Sequence, residues 1–285
     1  QESECVDRFP VGTLYHYGNE KLPTLDEAYL QLGTLGGGNH FIELQEDEQG
    51  YLGIMVHTGS RNVGFKVANY FNRLAKGLNR AMASPVPPEY DLAYLPLDTK
   101  EAAGYLDWMG FALEFARHNR ERIMERVKDL VLSGLKRYGG VGDIRISKQV
   151  NAHHNYAVQE RHFGQEVWVH RKGAIRARRG ELAIIPGAMG SYSFIVEGLG
   201  NPESFHSASH GAGRVMGRKE AVRTFSVDEV LADFQAKQVV LGKRRKRDTA
   251  EEFYQAYKNI EDVMADQTDL VQPVLKLKTV AVVKG

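Results

Sequence analysis

Four histidines stand in loops rich in glycine, serine and asparagine. His40 follows the glycines of LGGGNHF, His57 heads HTGSRNVG, His154 lies in NAHHNYA beside His153, and His210 lies in SASHGAGR. Side chains on such loops face a site more often than a core. A neutral imidazole carries a lone pair and suits Zn, Mn, Fe or Ni alike, and no HExxH or CxxC motif singles out the metal. The same loops hold a second chemistry. GTLGGGN, TGSRNVG, PGAMGS and HGAGR each expose successive backbone N–H groups, which can form an anion-binding nest. Arg61, Arg214 and Arg218 lie within a few residues of them and could fork onto phosphate oxygens. On residue types alone the pattern fits a metal site, a nucleotide or nucleic-acid phosphate site, or plain turns with structural histidines. Walker A, GxGxxG and GxSxG motifs are absent, which disfavours a P-loop, a dinucleotide fold and a Ser-His-Asp hydrolase. His210, flanked by Ser209 and Gly211, could serve as a general base or as a nucleophile on phosphorus.

These loops need a scaffold. FIEL (41–44) and YLGIMVH (51–57) are short apolar runs separated by the polar QEDEQG, the pattern of two strands. NVGFKVANYFNRLAKGLNRAM predicts a helix with Val67, Phe71, Leu74 and Leu78 on one face. A Pro-rich loop follows. A long helix is expected over about 98–138, with Asp98 and Glu101 as capping box, Gly139 and Gly140 as stop, and a break marked by Gly104, Gly110 or Gly134. Within it His118, like His162 further on, has helix-like charged surroundings. From about residue 144, EVWVHRKGAI, ELAIIPGAMG and SYSFIVEGL are β-type runs joined by glycine turns. Residues 226–240 and 250–266 are predicted helical, and 1–30 irregular. The apolar TVAVV near the C-terminus fits a strand that anchors the tail. The fold class is therefore α+β with mixed or antiparallel sheet.

Composition narrows the function classes. The 285 residues, 42% of them hydrophobic, can bury a large core. The formal charge of +1 announces no polyanion partner, so any such contact must come from local clusters such as KRRKR (243–247). A single cysteine, Cys5, excludes an intrachain disulfide framework and a Cys-rich zinc site. No apolar run approaches the ~18 residues of a membrane span, so a soluble, cytoplasmic protein is expected.

Taken in order, LGTLGGGNHFIEL, VHTGSRNVG, AHHNY, RKGAIRARRGELAIIPGAMGSYSFIVEGLGN, SHGAGR and AYKNIEDVM…VVKG resemble the RtcB family of RNA-splicing ligases, from about residue 31 to Gly285. The resemblance implies one large α+β catalytic domain with a central active-site cleft. It implies joining of RNA ends bearing a 3′-phosphate or 2′,3′-cyclic phosphate to 5′-hydroxyl ends, with GTP and two Mn²⁺ ions. On matching positions His210 would carry GMP. His40 would bind one manganese, and His57 and His154 the other. Asn39 to Glu43 (with His40, Phe41 and Ile42 between), His154, Asn155, the turn of Pro186, Gly187, Ala188 and Met189, Ser193, His210, Gly211, Ala212, Gly213, Tyr257 and Lys284 would hold the guanylate. Arg61, Arg214 and Arg218 would meet RNA phosphates. A monomer without membrane contact is implied, and an activating protein partner is left open.

Three departures from the family pattern stand out. An Asp-x-Gly-Cys-Gly motif, which supplies a metal-binding Asp and Cys ahead of the glycine loop, is absent. Cys5 in SECVD has other surroundings. About a hundred N-terminal residues are expected to be missing, with weak metal binding and poor ligation by these 285 residues as the consequence. PGAMG stands where the family has PGSMG, so Ala188 loses a hydroxyl contact worth on the order of 1 kcal/mol. EEFYQ stands where DEAP precedes AYK. Two other function classes fit the residues: a binding module that keeps an RNA surface without turnover, and a metal-dependent phosphoesterase that would release phosphate without GTP.

Overall fold

The computed structural model describes residues 10, 21–140, 142–242 and 249–285. Cys5 and the basic run 243–247 lie outside them. Two compact units are present, Gln1–Thr34 with Thr58–Ile123, and Leu35–His57 with Met124–Gly285. Among the described residues no helix is long and apolar enough to cross a membrane.

The first unit is helical. Helix α1 (Leu25–Gln31) interrupts the expected irregular lead-in. Thr24 Oγ1 accepts the Glu27 N–H, and the Glu27 carboxylate accepts the Thr24 N–H, so the box was present in the sequence as TLDE. Helix α2 (Arg61–Ala81) buries Val67, Phe71 and Leu74 of the expected face, with Leu78 partly buried, and buries Val63 and Tyr70 as well. Helix α3 (Lys100–Gly139) begins in this unit and runs unbroken past all three glycines. Each glycine costs about 1 kcal/mol against alanine, whereas burying one large apolar side chain gives about 1.5–3 kcal/mol. The buried Trp108, Phe111 and Phe115 of α3 outweigh the glycines. Its cap is Thr99, not Asp98: Thr99 Oγ1 accepts the Ala102 N–H at 3.2 Å. Asn119, fully buried, accepts the N–H groups of Gly33 and Thr34 and donates to the carbonyls of Thr34 and Gly59. One side chain thereby satisfies backbone groups that lack helix or sheet partners.

The second unit is built on sheet. Its strands in chain order are β1 (Phe41–Asp47), β2 (Leu52–His57), β3 (Asn155–His162), β4 (Gln165–Lys172), β5 (Ala174–Arg176), β6 (Leu182–Pro186), β7 (Tyr192–Gly198), β8 (Ser207–Ser209), β9 (Val240–Gly242) and β10 (Val271–Lys284). The main sheet has the order β2-β1-β10-β7-β6, every neighbour antiparallel, with β9 added to β10 in parallel. β3 and β4 form a hairpin, and β5 pairs with β8. This is the mixed, mainly antiparallel α+β architecture read from the sequence. The TVAVV segment lies inside the central strand β10, with Val282 buried.

Helices α4 (Arg218–Thr224), α5 (Val227–Ala236) and α6 (Ile260–Ala265) flank the sheet. The helix expected over 250–266 is instead two 3-10 turns, Thr249–Glu252 and Tyr254–Ala256, followed by α6. The reason lies at Phe253. Its ring turns into a core of Met189, Val230, Phe234 and Val282 and meets Phe225 at 5.1 Å, which bends the chain between the turns. A second core gathers Ile185, Phe194 and Val196 under Ile260 and Met264.

Candidate functional site

Strand register assembles the first wall of the site. Phe41 of β1 pairs with His57 of β2 on one side and with Lys284 of β10 on the other. Paired residues in antiparallel strands point to the same face, and so do residues two apart. One face therefore presents Phe41, Glu43 and Gln45 in line, with His57 and Lys284 beside Phe41. The rings of Phe41 and His57 lie 5.2 Å apart, and Lys284 Nζ lies 5.9 Å from the Phe41 ring centre. Glu43 is 2% exposed and accepts hydrogen bonds from Gln45 Nε2 (2.8 Å) and Thr279 Oγ1 (3.3 Å). Burial pushes its carboxyl up to about 7, against the pull of those two donors and of the Lys284 charge. Gln45 Nε2 also reaches Ser193 Oγ at 3.1 Å.

The four loop histidines form a connected row of rings. His40 and His57 have centroids 6.1 Å apart, His57 and His154 5.3 Å, and His154 and His210 4.8 Å. Burial, then the neighbouring imidazoles of His154, His40 and His210, hold the His57 pKa well below its ordinary value. His57 is therefore neutral at physiological pH and keeps a lone pair for a ligand. The donor type fits a divalent cation such as Mn²⁺. Among the described residues, however, no three His, Cys, Asp or Glu side chains gather as one metal-holding group. His40 and the pair His57–His154 would need further donors from phosphate or water.

His210 has a defined tautomer. Its Nδ1 lies 2.6 Å from the Gly173 carbonyl oxygen. A carbonyl only accepts, so Nδ1 carries the proton and Nε2 keeps its lone pair. Burial lowers the His210 pKa, partly offset by this hydrogen bond, so the neutral ring dominates. Gly173 lies directly after β4, and its N–H donates to the His154 carbonyl at 2.8 Å and to Asn155 Oδ1 at 3.1 Å. Its φ is +66°, and a Cβ there would sit 3.2 Å from His210 Cε1.

The turn after β6 closes over the same region. Gly187 has no room for a side chain, since a Cβ would lie 2.2 Å from the Tyr192 carbonyl oxygen. Ala188 and Met189 are buried, and the Ala188 carbonyl accepts the Ser191 hydroxyl at 2.7 Å. The Ala212 N–H donates to the Pro186 carbonyl at 3.2 Å, which joins this turn to the loop after His210.

Glu252 organises the cationic side. Its buried carboxylate accepts from Arg214 Nη1 (3.2 Å), Arg218 Nε (3.4 Å) and the Tyr257 hydroxyl, and Lys284 Nζ stands 3.9 Å away. Arg214 also donates to the Glu251 carbonyl at 2.5 Å and to the Tyr257 hydroxyl oxygen at 2.8 Å. Arg218 is half exposed, and a Cβ on Gly38 would lie 3.5 Å from its Nη2. Burial, then the Glu252 charge, raises the Tyr257 pKa. Lys284 Nζ donates to the Gly38 carbonyl at 2.8 Å.

Strand ends and loops of the second unit thus bring together His40, His57, His154, His210, Glu43, the 186–189 turn, Tyr257, Lys284 and two arginines. Asn39 and Asn155 are exposed, Phe41 and Ile42 half-buried, Ser193 buried, and Gly213 exposed after the buried Gly211 and Ala212. Arg61 belongs to the first unit, where its Nε donates to Thr34 Oγ1 at 3.2 Å. The helix-like setting expected for His118 and His162 holds for His118 alone of the two; His162 ends β3, buried, with Nε2 3.0 Å from Glu160. Sequence reading missed Glu252, Gly173, Gln45 and Thr279. Glu252 could have been found from the AYK motif, five residues before Tyr257.

The family profile described as tRNA-splicing ligase RtcB matches residues 13–285. The RNA-splicing ligase RtcB of Escherichia coli (strain K12) is 41% identical over 273 residues, covering 95% of this chain and 66% of that protein. The tRNA-splicing ligase RtcB of Pyrobaculum aerophilum is 31% identical over 293 residues, 90% of this chain and 60% of the relative. The chain thus spans just under two thirds of the length of these relatives. With the profile matched along nearly its whole length, the chain belongs to the RtcB family.

Proposed function

We propose that this chain carries the catalytic core of a GTP- and Mn²⁺-dependent RNA ligase, which joins 3′-phosphate or 2′,3′-cyclic phosphate RNA ends to 5′-hydroxyl ends through a guanylylated His210. Family membership and the relatives named RNA-splicing ligases support the class of reaction. The observation that carries the mechanism is the His210 Nδ1–Gly173 bond, because it leaves Nε2 as the nucleophile.

In this reading Nε2 attacks the α-phosphorus of GTP. An N–P bond forms and pyrophosphate leaves with the electrons of the broken P–O bond. A 2′,3′-cyclic phosphate is first opened by water, which breaks its P–O2′ bond and leaves a 3′-phosphate with a free 2′-hydroxyl. An oxygen of the RNA 3′-phosphate then takes the guanylyl group and frees the imidazole. The 5′-hydroxyl attacks the activated 3′-phosphorus, and GMP departs as a new phosphodiester forms. Bound Mn²⁺, held by His40 and by His57 with His154, would supply positive charge to the phosphate oxygens. Arg214 and Arg218 add to it. Asn39, Asn155, Ser193, Tyr257, Lys284 and the 186–189 turn hold the guanylate, and Arg61, Arg214 and Arg218 meet RNA phosphates. The protein works in the cytoplasm.

The test uses GTP labelled at the α-phosphorus, with Mn²⁺ and the 285-residue chain, and the Escherichia coli relative as positive control. Acid-labile, base-stable label on the chain, weaker than on the control and lost in His210→Ala, is the expected result. Label retained by His210→Ala would move the nucleophile elsewhere. Release of phosphate from RNA ends without GTP would favour the phosphoesterase reading.

A further inference from the structure

Arg171 and Glu160 form an ion pair buried within the second unit, with side chains 1% and 2% exposed. Arg171 Nη1 donates to Glu160 Oε1 at 3.1 Å and Nη2 to Oε2 at 2.9 Å. Its other donors are also used. Nε reaches Ser207 Oγ at 3.0 Å, Nη2 the Phe205 carbonyl at 2.9 Å, and Nη1 the Tyr156 hydroxyl at 3.4 Å. A guanidinium has five N–H groups, and each has a partner here. Glu160 further meets His162 Nε2 at 3.0 Å and Arg178 Nη2 at 3.3 Å.

The partners of Arg171 lie on the approach to His210. Phe205 and His206 both have φ near +50°, a conformation that L side chains rarely adopt. Their rings pack on His162 at 5.0 and 4.8 Å. Ser207 then opens β8, which leads through Ser209 to His210. In the other direction, Gly173 follows Arg171 by two residues and accepts the His210 Nδ1 proton. One side chain therefore ties the segment that delivers His210 to the strand that delivers its hydrogen-bond acceptor.

We propose that Arg171, neutralised by Glu160, is the positioning residue of His210: it fixes the Phe205–Ser207 segment against the end of β4, so that Nδ1 meets the Gly173 carbonyl and Nε2 is the free nitrogen. A buried ion pair is weak evidence for stability, since apolar residues of similar volume often serve as well. Planar, multidentate contact with a carboxylate, a hydroxyl and a carbonyl together requires arginine, and lysine cannot reproduce it. The proposal rests on the reading of His210 as the guanylylated residue.

The test compares wild type, Arg171→Lys and Ser207→Ala of the full 285-residue chain, with His210→Ala to assign the ring signal. Nitrogen-15 correlation spectra of the imidazoles, without GTP, report which ring nitrogen of His210 bears the proton. Label transfer from GTP with Mn²⁺ reports the rate. Wild type is expected to show Nδ1–H. Arg171→Lys is expected to shift His210 towards the Nε2–H form and to slow labelling by about 10- to 100-fold. Ser207→Ala, which leaves the ion pair intact, is expected to lose a few-fold in rate, and it decides the matter if Arg171→Lys does not fold. An unchanged His210 spectrum in a folded Arg171→Lys, or in Ser207→Ala where that stands in, overturns the proposal. If wild type takes up no label, the nucleophile reading fails, while the ring spectra still decide whether Arg171 sets the tautomer.

Discussion

At the scale of single residues the site rests on two buried choices of proton. His210 is fixed as a neutral donor at Nδ1 by one carbonyl, and that carbonyl belongs to a glycine with φ +66°. Gly173→Ala would strain the backbone by about 1 kcal/mol and press a methyl against His210 Cε1 from 3.2 Å. Labelling of His210 from GTP is expected to slow at least tenfold with the fold retained. A wild-type rate in the alanine variant would show that the ring does not need this acceptor. Glu43 is the second case. Its folded pKa is raised from 4.5 to about 7 by burial, so folding favours its protonated form. The stability this contributes is fully present below the unfolded value near 4.5 and is lost as pH rises through 7. The loss is on the order of 3 kcal/mol at most. Glu43→Gln cannot ionise, so urea unfolding should show wild type losing stability relative to the variant between pH 5 and 8. A constant difference across that range would mean that Glu43 ionises normally in the fold. The four histidines and Glu43 were legible in the sequence because glycine-rich stretches lie next to them. Gly173 and Glu252 were not, because a carbonyl acceptor or a charge hub is defined only by what folding brings beside it.

Among the elements, local signals placed most strands and the long helices, but the TLDE cap of α1 and the Thr99 cap of α3 were passed over. Short apolar runs around a polar turn gave β1 and β2, three-to-four spacing gave α2, and apolar runs between glycines gave β4 to β7. Two of the misreadings share one cause. Around 250–266 the helix-like pattern was overridden by a tertiary contact, since Phe253 leaves the local spiral to fill a core with Met189, Phe234 and Val282. The glycines of α3 suggested a break, yet the aromatic face buried in the first unit holds that helix together. Strand order was out of reach too: nothing local in TVAVV says that β10 pairs with both β1 and β7, although this register sets Lys284 beside Phe41. If Phe253 is what shapes the 249–256 segment, Phe253→Ala should cost about 3–5 kcal/mol in equilibrium unfolding. Because Glu252 and Tyr257 lie on either side, the affinity for GTP should weaken as well. A loss below about 1 kcal/mol would mean that the turns hold their shape without the ring.

For the whole molecule the question is how a chain with a formal charge of +1 would grip a polyanion. Local clustering must supply the field, and in the second unit Arg214, Arg218 and Lys284 supply it around one buried carboxylate, Glu252. That carboxylate holds the cations close together in the absence of RNA. It also cancels part of their charge, so an incoming phosphate competes with it. Two opposed effects follow from removing it. Glu252→Gln frees about one positive charge for phosphate, but it weakens the hold on Tyr257 and Arg214. For RNA binding the charge effect should win, because Arg218 is half exposed and reaches outward whatever its partner does. Affinity for a single-stranded RNA with a 3′-phosphate should therefore rise at low salt. The slope of log K against log salt should steepen by about 0.7, the contribution of one further phosphate contact. GTP affinity should fall in the same variant, since a neutral amide oxygen is a weaker acceptor for Tyr257 and Arg214 than the carboxylate. Binding isotherms across a salt series separate these outcomes. An unchanged slope with weaker RNA binding would show that Glu252 acts as scaffold only, and that the arginines it holds do not meet RNA phosphates.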